Sequence, residues 1–292
     1  MIYDCFIFNN ELDILDIRFH ELNSVVDKFV LVESTVTHVN RKKPLYYKMN
    51  QKRYKEFEDK IIHIVVDDTP DVSLAWIIND FQFSQMIRGL KNCKPNDVIL
   101  FGDVDEIPKA EKIKEWMNQK GKHKLFIEKL SYFYLNLSDY AQKPVNGTHM
   151  MLFRELIKYK TTWIAKYSKV DVEILNGGWH FSYISDIKGI EKKIESMAHQ
   201  EFNNEKYNTP EKIRSSIINQ KDLFNNGLKF RVESVSLLPK YVQDNQQKFK
   251  KYLLTPNNIR NKFIVNLISL CLDFKDFVRI KLRKVNKLTL NT

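Results

Sequence analysis

Cysteine is scarce: Cys5, Cys93 and Cys271 lie far apart along 292 positions. Their number and spacing exclude a disulfide framework and a cysteine-built zinc site, and suit a reducing compartment. Glycine and proline are sparse too, at 8 each, which excludes collagen-like, linker-rich and low-complexity chains. No run of about 18 apolar residues occurs, so no transmembrane helix is expected. A basic leader with a following apolar stretch is also lacking; Met1-Ile2-Tyr3-Asp4-Cys5-Phe6-Ile7-Phe8 has the pattern of a buried strand instead. These absences predict a cytoplasmic protein, peripheral to a membrane if it meets one. Without secretion, the acceptor triplets Asn136-Leu137-Ser138 and Asn146-Gly147-Thr148 carry no weight as glycosylation sites.

What remains is an ordinary globular composition. A hydrophobic content of 43% over this length supports one large domain, or one domain with an appendage. The net charge of +11 is unevenly spread: residues 240–292 hold 12 Lys or Arg against 3 Asp or Glu, and the preceding 239 hold 35 against 33. A nearly neutral body argues against a nucleic-acid partner and assigns the basicity to the tail.

Strand-like runs at 2–8, 29–33, 61–66 and 98–101 alternate with helical periodicity at 11–25 and 74–92. Strands alternating with helices predict a parallel sheet with both faces covered. A helix is expected over 109–120, then antiparallel strands at 125–127 and 131–135, then helical structure over 187–227 broken near Pro210. Residues 262–285 carry a long amphipathic pattern with Arg279, Lys281, Arg283 and Lys284 crowded at its end. It suits either a packing helix or a contact with an anionic membrane surface. The expected architecture is an α/β fold, a mainly parallel central sheet with flanking helices over 1–255, plus a basic amphipathic helical tail over 256–292.

The chemistry concentrates at Val98-Ile99-Leu100-Phe101-Gly102-Asp103-Val104-Asp105-Glu106-Ile107-Pro108. On an extended backbone Asp103 and Asp105 point to one side, where their like charges call for a cation between them. Hard oxygen donors suit Mg²⁺ or Mn²⁺, and the carboxyl end of a buried strand is where open α/β sheets bind ligands. An Asp-x-Asp triplet alone is commonly a solvated turn; the buried-strand pattern before it favours metal-bridged phosphate chemistry.

Five separated blocks then occur in order: Phe8-Asn9-Asn10-Glu11-Leu12-Asp13; Phe29-Val30-Leu31-Val32-Glu33-Ser34 with Thr37-His38 and Lys43-Pro44-Leu45; Gly102 to Pro108; Gly177-Gly178-Trp179-His180-Phe181-Ser182-Tyr183; and Ala198-His199-Gln200-Glu201. In these blocks the chain resembles glycosyltransferase family 17 over roughly residues 2–250. The resemblance implies a GT-A-type nucleotide-sugar fold and a divalent metal. It also implies inverting transfer of a sugar, N-acetylglucosamine above others, from a UDP-sugar to a hydroxyl of a glycan acceptor.

On that resemblance Asp103 and Asp105 hold the metal, with Asp103 also near the ribose, and His180 returns as a third ligand beside Trp179, a donor contact. Asn10, Glu11 and Glu33, at strand ends beside the switch point, are donor-site candidates. Lys43 and Lys193 (or Lys192) face the phosphates, and Asp68 with Asp67 the base or ribose. Glu201 is the expected base that deprotonates the acceptor, and Asp186 the second choice. Each has a plainer reading: Asn10 as a helix N-cap, Glu106 as a cap of the helix after Pro108, the lysines as solvated loop charges. Two rival functions remain. A nucleotidyltransferase of similar fold should carry a glycine-rich loop after its first strand, which Phe8-Asn9-Asn10-Glu11 is not. A non-enzymatic membrane-surface module should release no UDP from a UDP-sugar.

Overall fold

The computed structural model describes residues 1–140 and 145–254. The expected C-terminal helix at 262–285 and the whole basic tail over 256–292 lie outside the described residues. Along the chain run β1 (Ile2–Phe8), α1 (Leu12–Leu22), β2 (Lys28–Ser34), α2 (Tyr46–Asn50), β3 (Ile61–Val66), α3 (Ala75–Ser84), β4 (Val98–Asp103) and β5 (Glu106–Pro108). There follow α4 (Ala110–Trp116), β6 (His123–Tyr132), β7 (Leu137–Asp139), β8 (Val145–Leu152), α5 (Phe153–Leu156) and α6 (Thr162–Lys166). Last come β9 (Val172–Ser182), α7 (Ile187–Ser196), α8 (Pro210–Ile218), β10 (Phe230–Val232) and α9 (Lys240–Asp244). Met1–Tyr252 forms one compact unit.

The apolar runs of β1, β2 and β4 are continuous because both faces of these strands are covered. Ile2, Phe6 and Phe8 pack with Leu15, Phe19 and Leu22 of α1 on one side of the sheet. Tyr3 and Cys5 pack with Phe83, Met86 and Leu90 on the other. The strand order is β10-β7-β6-β8-β4-β1-β2-β3, with β9 pairing both β5 and β6. Parallel pairing joins β3, β2, β1 and β4, and β9 runs parallel to β6. The β4–β8, β6–β8, β6–β7, β7–β10 and β5–β9 ladders are antiparallel. The fold is therefore mixed α/β with a large central sheet and flanking helices; the mainly parallel pairing expected of the sheet holds in its N-terminal half and one later pair, and the other ladders are antiparallel.

Three local expectations change. The two strands expected at 125–127 and 131–135 are one strand, β6, because the intervening Glu128 is buried and accepts the backbone N–H of Thr148 at 3.1 Å. It stops at Phe133, whose φ of +64° breaks the extended backbone. Pro210 opens α8 rather than breaking a long helix, with the Thr209 hydroxyl accepting from Lys212 N. The pattern over 74–92 splits into α3 and a 3₁₀ turn over Gln85–Leu90.

Chain order reverses between β1 and β4, and at that switch point the carboxyl ends of the parallel strands face one opening. One buried group ties the region together. The Arg18 guanidinium, fully inaccessible on α1, donates two hydrogen bonds to the Asp4 carboxylate of β1, at 2.7 and 2.6 Å. Its remaining amino group donates to the carbonyls of Asp103 (2.9 Å), Val104 (3.3 Å) and Glu106 (2.5 Å). Breaking a buried pair by neutralising one partner strands the other charge, at a cost of about 3–5 kcal/mol. Asp4→Asn should lower unfolding stability by about that amount in urea titrations; a loss below about 1 kcal/mol would contradict the role given to this pair.

Candidate functional site

β4 runs into the opening and ends at Asp103, where a two-residue turn, Val104-Asp105, leads into β5. The acidic segment is thus a tight turn and not the extended strand that alternation suggested. Two close approaches shape it. A Cβ on Gly102 would meet the Glu106 carboxylate at 2.6 Å, and that carboxylate accepts the Asp103 N–H at 2.8 Å. Opposite, β9 lies so close to β5 that a Cβ on Gly178 would sit 2.2 Å from the Ile107 carbonyl. Glycine there lets Glu106 pair with His180 across the ladder. Alternation along β9 then aims His180 at the opening and Trp179 away from it, where its indole N–H donates to the Leu237 carbonyl at 2.9 Å.

The opening is a cavity of about 570 Å³. The sequence-predicted residues that line it are Glu11, Lys43, Asp103, Asp105, His180 and Lys193. Each turn carboxylate meets a lysine. Lys193 Nζ, from α7, donates to Asp105 at 2.8 Å and lies 3.6 Å from Glu11. Lys166 Nζ, at the end of α6, donates to Asp103 at 2.9 Å and to both Glu106 oxygens at 3.3 Å. Burial alone would raise the Asp105 carboxyl; the Lys193 ammonium and the His180 imidazole outweigh it and bring it down to about 2. Burial opposes the charge on both lysines, yet the facing carboxylates push each above the ordinary ammonium range. Glu106 goes the other way: burial, aided by Asp103, raises it against the pull of Lys166.

Asp105 and the His180 Nε2 are 3.9 Å apart, an oxygen and an imidazole donor of the kind Mn²⁺ accepts. Among the described residues no group of three His, Cys, Asp or Glu side chains is gathered around a metal position, since Asp103 turns to Lys166.

The other expected residues lie elsewhere. Glu33 is fully buried beneath α2, accepting from the backbone N–H of Tyr47 (2.7 Å) and Lys48 (3.3 Å), with His63 at 3.0 Å. Asn10 lines a smaller neighbouring cavity, and Glu11 rather than Asn10 stands at the N-cap of α1. Asp68 is exposed and paired with Arg88 at 2.6 Å, beside an exposed Asp67; Lys192 is exposed as well. Asp186 caps α7, accepting from Gly189 N at 2.8 Å. Glu201 is exposed and bonded to His199 Nδ1 at 2.6 Å, and it is His199 that reaches the cavity rim, edge-on to Trp76. Glu106 belongs to β5 instead of capping the next helix, whose N-cap is Lys109. Sequence reasoning missed Lys166, His149, Arg18 and Trp163. The first, second and fourth line the cavity, and none stands in a recognisable motif.

The family model for glycosyltransferase family 17 matches residues 1–261. Among curated proteins, the chain is similar to the beta-1,4-mannosyl-glycoprotein 4-beta-N-acetylglucosaminyltransferases of Homo sapiens and Rattus norvegicus, each 34% identical over 108 residues. The Mus musculus protein of that name is 33% identical over the same length. The match spans 34% of this chain and 20% of each relative.

The charge pairing has a pH signature. Asp105 is depressed when folded, so its contribution, about 2 kcal/mol, is complete above its ordinary value of 3.8 and lost as pH falls through about 2. Lys193→Met removes the largest stabilising cause and should move the acid-unfolding midpoint to higher pH, followed by circular dichroism. An unmoved midpoint would contradict the pairing.

Proposed function

Because the chain belongs to glycosyltransferase family 17, we propose that it moves a sugar, most naturally N-acetylglucosamine, from a UDP-sugar to a hydroxyl of a glycan acceptor with inversion. The fold is then of the GT-A type. One observation carries this reading: an acidic turn at the sheet's switch point, facing a cavity in which two part-buried lysines converge on it. The name of the mammalian relatives supports the choice of sugar.

A departing nucleoside diphosphate concentrates negative charge that must be neutralised where it develops. Lys166 and Lys193 are charged, part-buried and already line the cavity, so they need little reorganisation to meet it. Asp105 and His180, with Asp103 beside them, would hold a divalent cation, Mn²⁺ or Mg²⁺. Bound there, such an ion supplies Lewis-acid neutralisation of the leaving group. Transfer breaks the bond between the anomeric carbon and the diphosphate oxygen, with the electron pair leaving on the diphosphate. The acceptor oxygen bonds to the opposite face of that carbon. Its proton passes to His199, whose Nδ1–H is held by Glu201 so that Nε2 is free to receive it.

Wild-type protein with UDP-N-acetylglucosamine and Mn²⁺ should release UDP, and more of it when a suitable glycan is added. Chelation with EDTA should stop release. Asp105→Ala should cut the turnover number more than tenfold at saturating donor; retention of over a tenth of the rate would overturn this assignment of the turn.

A further inference from the structure

Behind the acidic turn lie two histidines that no motif announces. His123 of β6 and His149 of β8 are almost wholly buried, and their Nε2 and Nδ1 atoms stand 2.8 Å apart. The His149 ring stacks on Phe101, two residues before Asp103, at 5.3 Å. Burial keeps both imidazoles below their ordinary range, and the Lys166 ammonium adds to the effect at His149. Both rings are therefore neutral near pH 7, and each carries one hydrogen.

Where those hydrogens sit follows from the neighbours. Ser168 gives its single hydroxyl hydrogen to the Ala165 carbonyl at 2.8 Å. At its 3.1 Å contact with His123 Nδ1 it can only accept. The Lys169 carbonyl, 3.1 Å from the same nitrogen, accepts too. His123 Nδ1 therefore bears the hydrogen, and His123 Nε2 is a lone pair. That lone pair takes the hydrogen of His149 Nδ1. His149 is left with a bare Nε2 lone pair, for which the described residues provide no donor, on a ring that lines the cavity.

We propose that His149 Nε2 is a fixed hydrogen-bond acceptor at the cavity wall that takes an N–H or O–H of the transferred sugar, and that His123 is the residue positioning its tautomer. The assignment rests on the reading of this cavity as a UDP-sugar site. A neutral lone pair offers nothing to phosphate oxygens, which are acceptors themselves and have two ammonium groups to meet. The uncharged, donor-rich part of the ligand is what it matches. A site built to accept a hydrogen rejects an analogue lacking the donor, because the lone pair is then buried without a partner.

Long-range ¹H–¹⁵N correlation spectra of the wild-type imidazoles test the proton chain without any variant. Both rings should show the Nδ1–H tautomer at neutral pH; a hydrogen on His149 Nε2 would overturn the proposal and leave the family-based function standing. By calorimetry, His149→Phe should weaken UDP-N-acetylglucosamine binding at least tenfold while leaving UDP binding within twofold. His123→Phe should weaken sugar-nucleotide binding less and bring the second His149 tautomer into the spectrum. Comparing UDP-glucose tells an acetamido N–H from a hydroxyl as the donor: a penalty from His149→Phe present only with the acetamido sugar identifies the former. Equal loss for UDP and UDP-sugar would place the lone pair on the uracil and overturn the proposal. Failure of the wild type to bind either ligand would overturn the functional reading and this one with it.

Discussion

A single buried guanidinium ties the acidic turn to the core of the sheet. Arg18 neutralises Asp4 in the sheet core and donates to three carbonyls of the acidic turn, although it is separated from them by more than eighty residues of chain. Removing an arginine from water is expensive, and the bidentate carboxylate and the carbonyl cluster together offset that cost. The Thr148 hydroxyl adds a bond to the Glu106 carbonyl at 2.7 Å, and Phe181 N one to Asp105 O at 2.9 Å. The turn is held by its backbone, which leaves its carboxylates free to face the cavity.

The consequence is a concentration of paired charge along the cavity wall. Asp103, Asp105 and Glu106 face Lys166 and Lys193 in direct ion pairs, and the Glu128 carboxyl is raised by burial and by Glu106. Desolvation cancels much of the attraction within such pairs. In the proposed function their value lies in exchange: an incoming diphosphate would give the lysines a second anionic partner, and a cation would give the carboxylates one.

Much of the fold was legible in the sequence because it obeys local rules. The strands of β1–β4 announce themselves by continuous apolar runs, and the acidic turn by a strand that ends in carboxylates. His180 stands in a block that carries the family resemblance, and the close contact at Gly178 is the physical reason a glycine stands two residues before it. The mixed half of the sheet was harder, since Glu128 and Lys129 look like a break until a partner strand supplies the hydrogen bond that buries one of them. Lys166, His149 and Arg18 were invisible for a different reason. Each acts through contacts across 14 to 88 positions, and a lysine or histidine in isolation carries no trace of the group it will face. Glu33, Asp68 and Asp186, expected at the site from their places at strand ends and a helix start, are instead engaged by the Tyr47 N–H, Arg88 and the Gly189 N–H.

A crystal structure with UDP-N-acetylglucosamine and Mn²⁺ bound tests the central claim most directly. The account requires the diphosphate against the Asp103–Glu106 turn, contacted by Lys166 and Lys193. A nucleotide bound elsewhere, with both lysines still closed on Asp103 and Asp105, would contradict it.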